Sequence, residues 1–404
     1  MLKVKTKPQS HLAGSISFAL FLALASCPSS VLGLGIALPD QDAFATARGN
    51  AFVATADDPA AVFYNPAGIS QLQGMNASVG AYGIVYGDTY HNGGSSIDSK
   101  TPLEVLPQIF TSWNIPSYKL TLGFGSYSPY GLRQEWPASS PFVAGGETGQ
   151  INYYTIAPTI AYQLLPSLSI AAGPAISYSE ADLKEFPLFV NHFRGRDTDV
   201  GFNAGVLWHP WVQHSFGVTY RSATDMNYKG HTTDYVVAPP FPNTAASANF
   251  HFPQTLAFGY SYRPTPKWNF EADANWTDWS ELKTVPVSPL AAFGDKLTFD
   301  WSPSWMLDFG ATRYIGAGWR ISGGYMYSMN SVPSSSFSPL VPDSDRHIFS
   351  IGVGKQYHKF SWDAAYQLAW GPSRSVSGDT AYPLAVGSYQ FLSHALTINF
   401  GYHF

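Results

Sequence analysis

The sequence predicts an all-β transmembrane barrel of about 14 antiparallel strands, and three observations carry that prediction. The first is composition. The chain has 404 residues, of which 16% are aromatic and only 12% charged, about half the charge of an ordinary soluble domain. The second is repeated period-two alternation of apolar and polar residues, with aromatics near the segment ends. The third is an N-terminus of export type. Lys3, Lys5 and Lys7 precede a short apolar run from Ile16 to Ala25 and then small residues. That run is too short to span a bilayer and reads as a signal peptide over residues 1–33. The net charge of −5 gives no reason to expect a nucleic-acid partner.

Cys27 is the single cysteine, so no internal disulfide can form. Leu24-Ala25-Ser26-Cys27 resembles a lipoprotein cleavage site. The alternative, favoured by a barrel that needs no lipid anchor, is that Cys27 leaves with the signal peptide.

The alternation is clearest in residues 268–277. Trp268, Phe270, Ala272, Ala274 and Trp276 share one face, and Asn269, Glu271, Asp273, Asn275 and Thr277 share the other. In a membrane barrel the apolar face meets lipid and the polar face lines the lumen. Residues 360–370, 319–328 and 200–208 repeat the pattern. The final residues do so as well, with Leu396, Ile398, Phe400, Tyr402 and Phe404 on one face. Ending on such a strand resembles the signal read by the barrel assembly machinery. Strands are expected near 76–86, 103–114, 118–130, 151–164, 168–182, 198–209, 214–228, 249–263, 267–280, 297–315, 318–329, 346–357, 359–370 and 392–404. Short turns should lie at the periplasmic end and longer loops outside. Closure removes lipid-exposed sheet edges, and outer-membrane lipid is the expected surround of a monomer.

Residues 34–75 do not alternate. They cannot face lipid, so they belong in the lumen or the periplasm. Asp57-Asp58-Pro59 marks a helix start, with the acids as caps. The stretch Ala54-Thr55-Ala56-Asp57-Asp58-Pro59-Ala60-Ala61-Val62-Phe63-Tyr64-Asn65-Pro66-Ala67-Gly68 resembles the N-terminal hatch of the FadL/TodX family, with Asn65, Pro66 and Ala67 as the hatch motif. Residues 272–279, 342–346 and Tyr130-Gly131-Leu132 match in the same order. The resemblance implies a hatch over 34–75 inside a barrel over 76–404. It also implies passive transport of hydrophobic molecules, most often long-chain fatty acids or monoaromatic hydrocarbons. Exit would be lateral, beside a kink in strand three. The sequence supplies Gly123, Gly125, Pro129 and Gly131 there, residues that weaken or interrupt a strand.

Candidate ligand contacts are Leu183, Phe186, Leu188, Phe189, Val190 and Phe193, expected in one outer loop, and Phe241 in another. Exposed apolar clusters of this kind mark binding surfaces. A buried carboxylate would need a cation. Arg221, Arg320 and Arg346 are the lumen-side candidates, although Arg346 stands beside Asp343 and Asp345, acids suited to a structural ion pair. Nothing in the spacing of the 11 histidines suggests a metal site, and no cofactor motif is present. A rival class, an outer-membrane barrel lipase, would need a Ser and a His brought together on the rim.

Overall fold

A computed structural model describes residues 35–142, 148–185, 191–234, 241–288, 296–378 and 383–404. The expected signal peptide with Cys27, and the candidates Phe186, Leu188, Phe189 and Val190, lie outside the described residues.

The wall is a closed antiparallel sheet of fourteen strands. In chain order they are β1 Met75–Asn92, β2 Leu103–Ile115, β3 Leu120–Tyr127 continuing as Gly131–Glu135, β4 Thr148–Leu165, β5 Leu168–Glu185, β6 Asn191–Trp211 and β7 His214–Arg221 continuing as Thr224–Asp234. They continue with β8 Phe241–Phe252 and Thr255–Thr265, β9 Trp268–Thr277, β10 Ser304–Gly316, β11 Trp319–Ser328, β12 Arg346–Tyr357, β13 Phe360–Trp370 and β14 Gly387–His403. β1 pairs with β2 on one side and with β14 on the other, which closes the ring. The C-terminal alternating segment is therefore the closing strand, with Val79 opposite Phe400 and Ala81 opposite Ile398.

The expected alternation decides which way side chains point. On β9, Phe270 is 42% exposed while Asn269 is fully buried and Glu271 is 4% exposed. An apolar girdle of Val79, Val105, Ile156, Ile170, Ile321, Ile351 and Phe400 faces outward, as lipid requires. Short turns join the strands at one end. In Gly316-Ala317-Gly318 all three residues have positive φ, and a Cβ on Gly318 would stand 1.9 Å from the Gln356 carbonyl. Glycine is needed there.

Several expected boundaries change. Residues 297 and 298 leave the expected tenth strand and, with Lys296, pair instead with Thr284–Pro286 in a separate two-stranded sheet. Strand three ends its first run at Tyr127, short of residue 130. β5 and β6 run further than expected, so that Leu183 pairs with Phe193 inside the wall. Both side chains are buried on its inner face, not displayed in a loop. Phe241 opens the second half of the β7–β8 hairpin, opposite Asp234.

The segment from Gly35 to Gln73 has two short α-helices, α1 Ala43–Ala47 and α2 Ala61–Tyr64, and a 3₁₀ turn Pro66–Gln71. Asp42 caps α1 by accepting the N–H groups of Phe44 and Ala45 at 2.7 and 3.1 Å. This segment is almost entirely buried. Its hydrogen bonds reach β2, β6, β9 and β14, so it contacts the barrel from several sides.

Candidate ligand-binding site

The site is built by the way the N-terminal segment meets the wall. Buried backbone N–H groups in the loop between the two short helices need acceptors, and β9 supplies two carboxylates. Asp273 accepts from Phe52 and Val53 at 2.8 and 2.9 Å. Glu271 accepts from Ala54 at 2.6 Å and Thr55 at 3.1 Å, and pairs with Arg48 at 3.2 Å with both side chains fully buried. The sequence marks Glu271 and Asp273 as lumen-facing but cannot say whose donors they meet.

The three residues of the Asn65-Pro66-Ala67 triplet do separate jobs. Asn65 donates to the Val53 carbonyl at 2.8 Å and to the Val206 carbonyl of β6 at 3.0 Å, and accepts from Ala67 at 3.2 Å. It ties two parts of the segment to each other and to the wall. Pro66 opens the 3₁₀ turn, where its missing N–H is not required. Ala67 is fully buried. The wall makes room with glycine: a Cβ on Gly205 would lie 2.4 Å from Asn65 Oδ1, and one on Gly217 2.1 Å from the Val53 carbonyl oxygen. Of the two expected caps, Asp58 accepts from Ala60 at 2.8 Å. Asp57 instead pairs with Arg263 at 2.6 Å.

Strand three is interrupted, but not at every residue singled out for it. Gly123 and Gly125 stay in the ladder, opposite Ser112 and Phe110. Their lack of side chain admits Ile69 and Val62. The ladder fails at residues 128–130. Beyond them, Gly131–Glu135 pairs with β4 alone, and Leu103–Gln108 of β2 pairs with β1 alone. The two stretches flank a gap in the wall. The backbone groups freed at the interruption are taken up from inside. Leu38 N–H donates to the Pro129 carbonyl at 2.8 Å and Gly131 N–H to the Ile36 carbonyl at 3.0 Å. Ala37 and Tyr130 form an isolated bridge. Side chains span the gap: Arg133 pairs with Glu104 at 3.1 Å, and the Tyr86 hydroxyl bonds the Arg133 backbone, accepting its N–H at 2.9 Å and donating to its carbonyl.

Two cavities meet at this point. One, of about 120 Å³, opens beside the gap and is lined by Ile36, Ile84, Leu106, Leu132, Ile151 and Leu340 with Glu104, Arg133 and Arg346. The other, of about 100 Å³, is lined by Phe63, Tyr64, Tyr127, Asn203 and Arg221. Ala37, Leu38, Tyr130 and Tyr153 line both, so the segment's first residues form the partition. A smaller apolar cavity includes Leu183. Phe193 belongs to the same buried cluster but lines none of these three.

The arginines separate by their partners. Arg320 is held by Asp363 through two bonds of 2.8 and 2.5 Å. Arg346 pairs with Asp343 at 3.0 Å and lies 4.0 Å from the Phe391 ring centre, while still lining the first cavity. Arg221 donates to the Phe63 carbonyl and stacks on that ring at 3.8 Å. Its Nε, like that of Arg346, has no hydrogen-bond partner among the described residues. Arg221 is the cation in the lining of the second cavity, where it stands among aromatic side chains and polar ones such as Asn203 and Thr219.

Comparison with known proteins agrees with this architecture. The chain is 24% identical over 400 residues to the long-chain fatty acid transport protein of Salmonella typhi, covering 87% of this chain and 88% of that one. It is 22% identical over 359 residues to the protein of the same description from Escherichia coli K12, covering 83% and 74%. The crystal structure of a Pseudomonas aeruginosa FadL homologue superposes with a TM-score of 0.81 at 18% identity, over 92% of this chain and 100% of that one. The Pseudomonas putida toluene transporter TodX gives 0.72 at 14% identity, over 93% and 100%. The family model described as outer membrane protein transport protein (OMPP1/FadL/TodX) matches residues 24–404, and the chain belongs to that family of outer-membrane β-barrels.

Proposed function

We propose that this barrel carries hydrophobic small molecules, long-chain fatty acids foremost, passively across the outer membrane and releases them sideways through the gap beside strand three. The observation that carries the reading is the apolar cavity at that gap, whose walls hold Arg133 and Arg346. An apolar tail can occupy the Ile and Leu lining while a carboxylate meets a cation, which its burial requires. Lateral release delivers such a molecule to lipid without crossing water. Residues 35–74 act as the hatch, and Ile36 to Leu38 as the part that must move, because they separate the two cavities and bond the broken strand.

Nothing in this reading requires bond chemistry by the protein, and we assign no enzymatic role. The aromatic lining of the second cavity, with Phe63, Tyr64, Tyr127, Tyr130 and Tyr153, suits a monoaromatic hydrocarbon as well, which makes that class the second reading. The test is direct binding of oleate, methyl oleate and toluene to the purified barrel. Oleate bound more tightly than its methyl ester, with the difference lost in Arg346→Met or Arg221→Met, supports fatty-acid transport. Toluene bound with no preference for oleate supports the hydrocarbon reading, and binding of none of the three overturns both.

A further inference from the structure

The wall has a second interruption, between β6 and β7. The ladder runs up to Asn203 opposite Arg221 and resumes at Arg196 opposite Lys229. Between these points residues 197–202 of β6 remain fully paired with β5, and residues 224–228 of β7 remain paired with β8. They have no ladder partners across from one another. Lipid-facing backbone cannot be left unsatisfied, and here side chains supply most of what is missing. Asp199 accepts the Asp225 N–H at 2.7 Å and Asp197 the Asn227 N–H at 2.7 Å. The Ser222 hydroxyl accepts the Phe202 N–H at 2.9 Å, and the Phe202 carbonyl accepts the Ser222 N–H at 3.0 Å.

The two faces of this seam differ in character. Inside, Gly201, Ser222, Thr224 and Arg221 line the second cavity. Outside, β6 changes polarity along the seam: Phe202 and Val200 are 50% and 60% exposed and apolar, and Thr198, Arg196 and Arg194 follow above them. The seam thus straddles the edge of the apolar girdle. An amphiphile leaving there could place its tail against lipid while its carboxylate stays at the wetter level, which avoids the cost of burying a charge in hydrocarbon. A clasp of rotatable side chains can open without peeling a ladder of backbone bonds.

We propose that the β6–β7 seam is a second lateral window, clasped by Asp197, Asp199 and Ser222, through which amphiphilic molecules leave the Arg221 cavity at the membrane interface. The proposal rests on the transport reading above and adds an exit independent of strand three. Closing each exit separately tests it. A Cβ on Gly201 would stand 2.5 Å from Ser222 Oγ, close enough for a disulfide in Gly201→Cys/Ser222→Cys. The strand-three gap is bridged in Glu104→Cys/Arg133→Cys by a short bifunctional thiol linker. Uptake of radiolabelled oleate is measured in the full-length protein, with the disulfide oxidised and reduced. Bridging the strand-three gap should leave a measurable fraction of uptake. Oxidising the seam in that bridged protein should remove it. In the bridged background, Asp197→Ala/Asp199→Ala should raise the residual uptake by about tenfold, the effect of losing roughly 1.4 kcal/mol of closure. If the strand-three bridge alone abolishes uptake, or if oxidation removes nothing further, the second window is refuted. Absence of oleate uptake by the unmodified protein would overturn the transport reading, and the window with it.

Discussion

Replacing Glu271 by Ala should release the N-terminal segment while leaving the barrel closed. The carboxylate accepts the N–H groups of Ala54 and Thr55, bonds the Thr55 hydroxyl and neutralises Arg48. None of these groups reaches water, since Arg48, Ala54 and Glu271 are buried to within 4%. Removing one partner of a buried ion pair costs about 3–5 kcal/mol, because the other charge stays unpaired. The same change on an exposed pair would cost about 1 kcal/mol or less. The penalty falls on docking of the segment, not on the ladder, because β9 keeps its backbone pairing with β8 and β10. The ratio of docked to released segment should therefore fall by roughly two to nearly four orders of magnitude. Limited proteolysis of the folded barrel reads this directly. Cleavage between residues 43 and 72 should become rapid in Glu271→Ala, with the strand content by circular dichroism unchanged. Single-channel conductance should rise in parallel. Adding Arg48→Met should restore part of the protection by removing the stranded charge. If Glu271→Ala resists protease as the parent does, the claim that these carboxylates hold the segment is wrong.

Other perturbations test separate parts. Gly217→Ala places a methyl where the Val53 carbonyl stands; overpacking of this kind costs about 1–3 kcal/mol, so the same cleavage should accelerate less than in Glu271→Ala. Tyr86→Phe removes the hydroxyl that spans the strand-three gap, and the loss of about 0.5–1.5 kcal/mol should speed oleate uptake by up to roughly tenfold; slower uptake would assign Tyr86 to binding instead. Burial raises the Asp42 carboxyl to about 6, reinforced by the neighbouring Asp363 carboxylate and opposed by Arg320, and burial raises Asp58 in the same direction. A raised acid holds its proton more tightly when docked than when released, so docking should be strongest near pH 4, weaken as pH rises from about 4 through 6, and stay weaker above that. Protease protection should then be greater at pH 5 than at pH 8, and the reverse order would contradict the assignment.

The wall was legible in the sequence because lipid and lumen demand opposite side chains on successive residues, as residues 268–277 display. Legibility fails where the chain rises above the girdle. On β5, Ile170 and Ile176 face out and Ser169 and Ser177 face in, but higher up Ala181 and Leu183 face in and Asp182 lies on the outer face. With water outside, the polarity of the two faces exchanges. Leu183 and Phe193 therefore resemble an exposed apolar loop when read against the membrane pattern. The strand-three break was announced by Pro129 and Gly131, whereas Gly123 and Gly125 serve close approach of Val62 and Ile69. The β6–β7 seam gave no such signal, because Arg221-Ser222-Ala223-Thr224 contains neither proline nor glycine. The triplet at Asn65 was visible only by resemblance; its bonds to Val53 and Val206 join residues far apart in the chain.

The measurement that bears most directly on the account compares oleate uptake with ion conductance for the same preparation. Cells lacking their own fatty-acid transporters should acquire saturable oleate uptake when they express this chain, and the purified barrel should conduct ions weakly in planar bilayers. A large steady ionic conductance without oleate uptake would instead describe an open polar pore and contradict the account.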